Sequence, residues 1–192
     1  MSNAQARWHS DEDEGISVAG RKNSEAAAER LRVLAKNAVD LIVSSHLRRA
    51  VETAQILAAA IGTPGIVSDP QLAERDMGDW SGRAPAEVDA LWPGVLAAWI
   101  AGRIPGPPGG EPDSAVARRA RESLLRHARG GWHLIVVVTH GGVIRALRRE
   151  AGPSNDPIPH LGGSIAWADT TTCRLKLGHE LLLGDPSVGP LT

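Results

Sequence analysis

Five consecutive aliphatic residues, Leu134-Ile135-Val136-Val137-Val138, run straight into Thr139-His140-Gly141-Gly142. A segment that is apolar at every position has no solvent face, so as a strand it must be covered on both sides, the condition of a parallel sheet sandwiched by helices. Asp40-Leu41-Ile42-Val43-Ser44-Ser45 is a second such run and ends in hydroxyl residues suited to opening a helix. Ala50, Ala54, Leu57 and Ile61 then share a helical face, until Gly62, Pro64 and Gly65 end the pattern ahead of the short run Ile66-Val67-Ser68. This alternation of helix and strand, without internal repeat, predicts an α/β fold: a three-layer α/β/α sandwich with a mostly parallel sheet. At 192 residues the chain reads as one domain, 1–192.

Other segments fill in this frame. An acidic run, Asp11 to Glu14, reads as a solvated loop, and Ala27, Leu31, Leu34 and Ala38 recur at helical spacing after it. Residues 72–112 form an irregular, lid-like insertion with helical stretches around Glu87 to Trp92 and Val95 to Ile100 and a stiff "IPGPPGGEP" loop. A helix over about 113–129 carries Arg118, Arg119, Arg121, Arg126 and Arg129, read as a solvated basic face, and another helix opens at Val143. Ser164 to Asp169 and Arg174 to Leu183 read as strands or a hairpin, and Gly184 to Thr192 as a loose tail.

Composition removes several classes of function. Lys and Arg number 21 against 22 Asp and Glu, a net charge of -1, so no global field draws the chain to nucleic acid or an anionic membrane. No apolar run approaches the ~20 residues that span a bilayer, and Met1 to Asp11 lacks the apolar stretch of a signal peptide, which makes the cytoplasm the expected location. The single cysteine, Cys173, rules out an internal disulfide and a cysteine-based zinc cage. The histidines show no metal-binding spacing, so no metal is expected. All aromatic side chains are Trp, six of them, which leaves little for stacking nucleobases.

Three places carry chemistry. Ligands of open α/β sheets bind beyond the carboxyl ends of the strands, where helix N-termini present free N–H groups. Arg48 and Arg49 sit in the first turn of the helix after Ser45, where a cation opposes the macrodipole unless an anion is near. His140 ends a buried strand, and Gly141 and Gly142 let a ligand approach the backbone. Glu74 stands in the loop after the short strand. Taken singly, each also fits a plainer role: solvated guanidiniums, a packed histidine and a surface carboxylate.

Taken together, these segments resemble the histidine phosphatase superfamily, which includes the cofactor-dependent phosphoglycerate mutases. The Ser-Ser-x-Leu-x-Arg-Ala-x-x-Thr-Ala pattern is met by Ser44, Ser45, Leu47, Arg49, Ala50, Thr53 and Ala54. Leu-x-Glu-x-x-x-Gly is met by Leu72, Glu74 and Gly78, followed by Trp80 and Gly82. Pro-Gly-Gly-Glu is Pro108 to Glu111, and His-Gly-Gly-x-x-Arg is His140, Gly141, Gly142 and Arg145. The resemblance implies a phosphoglycerate mutase-like fold and phosphomonoester hydrolysis or phosphoryl transfer on a small phosphorylated metabolite, without a cofactor. Arg49, His140 and Gly141 would bind the phosphoryl group. Glu74, catalytic with His140, would protonate the leaving oxygen and then activate water. The expected ligand is a small phosphorylated molecule or inorganic phosphate, and a homodimer is an open assembly.

The same resemblance implies a nucleophilic histidine in an Arg-His-Gly motif ending a first, central strand. That tripeptide does not occur here, and Ser2-Asn3-Ala4 stands at its place. Three readings follow. The motif lies upstream of Met1; or the chain is a non-catalytic pseudo-phosphatase that binds an anion or a protein partner; or another histidine, His9 first, substitutes as nucleophile. The first central strand is expected to be truncated or replaced, by Met1 to Ala6, by Ser164 to Asp169 or by a second protomer, so as to fill a gap between the strands ending at Ser45 and His140.

Overall fold

The computed structural model describes residues 7–8, 15–36, 38–62, 65–152, 158–184 and 190–191. Its central strand is β1, Leu41–Ser44, with all four residues buried. Parallel neighbours flank it, β2 (Ile66–Ser68) and β3 (Ile135–Val138), with Val43 opposite both Val67 and Val137. Because side chains alternate along a strand, β1 feeds two cores. Ile42 faces α1 (Val18–Ala35) and α2 (Arg48–Ile61), among Ala27, Ala28, Leu31, Ala50, Ala54 and Leu57. Leu41 and Val43 face the other way, with Leu72, Val137 and Leu124 of α5 (Asp113–Ala128). Helices therefore cover both faces of a parallel sheet, the three layers expected.

On the α5 side, α6 (Gly141–Ala151) buries Val143, Ala146 and Leu147 against Val116, Ala117 and Ala120, with Leu175 and Leu177 beside them. Those two leucines belong to β6 (Arg174–Leu182), which pairs antiparallel with β5 (Gly162–Asp169). Between β2 and α5, residues 72–112 hold two short helices, α3 (Pro85–Leu91) and α4 (Val95–Ile100), around a core of Met77, Trp80, Val88 and Trp99.

Several expectations change. The buried stripe of α1 passes through Ser24, Ala28 and Leu31 to Ala35, leaving Leu34 62% exposed, and Ala38 lies beyond the helix, which Lys36 ends in the left-handed region at φ 49°. No gap separates the strands leading to Ser45 and His140, since β1 and β3 pair directly over four residues. Among the described residues β3 is instead one edge of the sheet, with three of its four residues half-buried, so a strand added there would pair on its far side. Ser164 to Asp169 does not fill that position, being committed to β6; Met1 to Ala6 lies outside the described residues. Within the tail read as loose, β7 (Pro190–Leu191) pairs antiparallel with β4 (Ile158–Pro159).

Candidate oxyanion site

Direct pairing of β1 with β3 brings their carboxyl ends side by side, and with them the N-termini of α2 and α6. His140 is the residue before α6, buried, and its Nε2 lies 2.8 Å from Ser45 Oγ at the end of β1. Ser45 Oγ also accepts the Leu47 N–H at 3.2 Å, so its own proton is free to point at His140. The hydroxyl donates, Nε2 accepts, and the ring's N–H is then Nδ1. Burial, followed by the charges of Arg49, Arg119 and His46, lowers the His140 pKa to about 3. At neutral pH this imidazole is an uncharged donor in a cationic pocket.

The two arginines at the start of α2 part company. Arg48 is exposed and bonds Glu52, one turn on, at 2.8 Å. Arg49 is half-buried and is the foremost charge acting on His140, with Thr53 Oγ1 donating to its carbonyl at 2.8 Å. His46, exposed, stands at the rim.

Glu74 reaches the other helix N-terminus. Its Oε1 accepts from Arg75 N at 2.8 Å and its Oε2 from Gly142 N at 3.4 Å, the second of these a free N–H in the first turn of α6. Gly142 leaves room for the carboxylate there, because a Cβ would run into Glu74 Oε1 and stand 3.3 Å from Arg75 Cβ. The Glu74 carbonyl in turn accepts from Arg119, whose guanidinium forks onto the Glu111 carboxylate at 2.8 and 2.9 Å and also holds the Gln71 carbonyl. Glu111 closes the Pro-Gly-Gly-Glu loop, and that loop lies directly on the one containing Gly78: Asp79 N donates to Pro108 O at 3.0 Å and Glu111 N to Asp76 O at 2.9 Å.

The structure thus gathers Arg49, His140, Gly141 and Glu74 at one end of the sheet, with Gly141 buried as the first residue of α6. His9 lies outside the described residues, although its neighbour Trp8 stacks on Trp80 with centroids 5.5 Å apart. Two participants went unnoticed in the sequence. Ser45 was read as a helix cap and a motif position with no partner, and its partner is 95 residues away. Arg119 was assigned to a solvated face, yet it is ion-paired and only 17% exposed. Arg126, on the same helix, pairs with buried Asp69, and Arg121 with Glu150, so the basic face is largely tied down.

A parallel sheet with arginine, histidine and carboxylate converging beyond its strand ends is an α/β arrangement suited to an anionic group. The sequence profile of the histidine phosphatase superfamily (branch 1) matches residues 1–178, and the chain belongs to that superfamily. It is 38% identical over 195 residues to the glucosyl-3-phosphoglycerate phosphatase of Mycolicibacterium vanbaalenii, covering 96% of this chain and 82% of that one. A metal-independent phosphoserine phosphatase of Arabidopsis thaliana is 31% identical over 150 residues, or 76% of this chain and 61% of its own. Among solved structures, a mycobacterial glucosyl-3-phosphoglycerate phosphatase in complex with inorganic phosphate superposes with a TM-score of 0.76 at 32% identity, covering 90% of each chain.

Proposed function

We propose that this chain is a phosphatase acting on the monoester of a small phosphorylated metabolite, with Arg49, His140 and Gly141 binding the phosphoryl group and Glu74 serving the leaving oxygen. The observation that carries the reading is the meeting of Arg49 and His140 across the β1–β3 pair. Phosphoryl transfer asks little covalent chemistry of a protein and much positioning, with donors aimed at the equatorial oxygens. A guanidinium supplies a fork and a charge, and neutral His140 supplies an N–H whose orientation Ser45 sets. Cleavage breaks the bond from phosphorus to the ester oxygen, that oxygen takes a proton from Glu74, and the attacking water leaves its hydroxyl on phosphorus and returns its proton to Glu74, giving alcohol and inorganic phosphate. Both substrates named for the relatives above, glucosyl-3-phosphoglycerate and phosphoserine, are phosphate monoesters that also carry a carboxylate, and we extend that class to this chain.

A second reading rests on the lack of an Arg-His-Gly tripeptide: the same pocket binds an anion without turnover. One assay separates the two. Release of phosphate from p-nitrophenyl phosphate without added metal, abolished by His140→Ala, supports the phosphatase. An inert wild-type chain whose melting temperature still rises with phosphate supports the binding protein.

A further inference from the structure

Arg145 completes the His-Gly-Gly-x-x-Arg pattern, but the phosphoryl site leaves it without a task. It lies three residues after Gly142 on the same face of α6, and its charge and that of Glu74 act on one another. Among the described residues, Arg75, Arg149, Asp113 and Glu74 are the charges that act on it. Both carboxylates are already engaged. Asp113 takes ion pairs from Arg75 and Arg149, the latter at 2.8 Å, and Glu74 accepts the backbone N–H groups of Arg75 and Gly142. Arg145 is left half-buried, with no hydrogen bond or ion pair to its guanidinium among the described residues. Its nitrogens are nevertheless not sealed off, unlike Arg75 Nε, which is buried without an acceptor. A half-buried guanidinium without an ion pair is costly unless an anion arrives, and these donors remain open to one.

Resting on the phosphatase reading, we infer that Arg145 is the specificity residue that binds a substrate carboxylate two carbons from the phosphorylated one, as in a 3-phosphoglycerate or phosphoserine skeleton. His140 stands just before α6 and Gly142 and Arg145 follow within it, with Glu74 against Gly142 and in the field of Arg145. A phosphoryl group at His140 and a carboxylate at Arg145 would bracket the ester oxygen that Glu74 serves. The planar fork of a guanidinium matches a carboxylate in a way an ammonium does not.

The test is binding, which needs no turnover. Calorimetric titration compares 3-phosphoglycerate with glycerol 3-phosphate, the same skeleton without the carboxylate, on the wild-type chain and on Arg145→Met and Arg145→Lys. Wild type is expected to prefer 3-phosphoglycerate by about tenfold or more, the worth of one charge-assisted pair. Arg145→Met removes that preference while leaving glycerol 3-phosphate within about twofold, which also reports an intact fold. Arg145→Lys keeps part of the preference, and it is the variant read if the methionine chain does not fold. Equal wild-type affinities, or a preference undiminished in Arg145→Met (in Arg145→Lys where that is the variant read), overturn the inference and leave the phosphatase reading standing. If neither ester nor inorganic phosphate binds the wild-type chain, both fall together.

Discussion

His140 makes the fold acid-labile by an amount that can be worked out. Its pKa falls from the ordinary 6.5 to about 3, chiefly through burial and then through Arg49, Arg119 and His46. Between those values the unfolded chain carries the extra proton and the folded chain does not, so stability drops as pH falls below about 6.5 and levels off near 3. From pH 7 to 4.5 the difference is nearly two proton-binding decades at about 1.4 kcal/mol each, or about 2.5 kcal/mol. For a chain of this length that corresponds to a loss of roughly 5 to 10 °C in Tm. His160, also lowered by burial, contributes with the same sign, so the comparison must be with His140→Gln. The substitution loses the Ser45 bond equally at every pH, and only the titration of His140 changes the pH slope. Urea unfolding at pH 7 and 4.5 should show wild type losing about 2.5 kcal/mol more than the variant. Parallel slopes for the two proteins would refute the buried, neutral imidazole and the oxyanion pocket built on it.

Further substitutions probe the surrounding framework. Gly142→Ala forces the Glu74 carboxylate away while favouring the helix by about 0.5 to 1 kcal/mol; Tm should hold, and turnover of an alkyl phosphate should fall by about 100-fold or more, further than that of p-nitrophenyl phosphate, whose leaving group needs the proton less. Gly78→Ala places a Cβ against the backbone of Pro108 to Gly110 at φ 53°; urea unfolding should register at least about 2 kcal/mol of destabilisation. Asp69 is held at a pKa of about 2, since the Ser123 hydroxyl at 2.5 Å, Gln71 N, His127 and Arg126 together outweigh its burial. Its contribution is present above pH 3.8 and is lost as pH falls toward 2, and Asp69→Asn should cost about 2 to 3 kcal/mol at pH 7 with little of that acid dependence left.

What could be read in advance was whatever short-range periodicity encodes. The all-apolar runs at Leu41 and Ile135 announced covered strands, and the segments predicted around Leu47 to Ile61 and 113–129 appear as α2 and α5 within a residue or so. Strand order is not a local property. That β1 and β3 are neighbours, and so that Arg49 meets His140, follows from pairing 94 residues apart, Ile42 with Val136 and Val43 with Val137. The arginines of α5 failed for the same reason. A basic stripe looks solvated in one dimension, whereas Arg126 finds Asp69 57 positions away and Arg119 finds a carboxylate on the loop before its own helix.

Arg119 also explains why two glycine motifs separated by thirty residues belong to one device. A Cβ at Gly110 would stand 2.7 Å from Asp76 O, and one at Gly78 would enter the opposing backbone, so the two loops touch main chain to main chain. Only glycine permits that approach on either side. The contact carries Glu111 to Arg119, and Arg119 in turn grips the carbonyls of Gln71 and Glu74. The loops therefore hold a carboxylate in place at the tip of α6, from outside the sheet that supplies Arg49 and His140. On the phosphatase reading, such an arrangement separates two kinds of precision: the parallel strands would place the oxyanion donors, while a tertiary contact between loops would place the acid. Side chains elsewhere in residues 72–112 could then vary with the alcohol to be released, without moving either part.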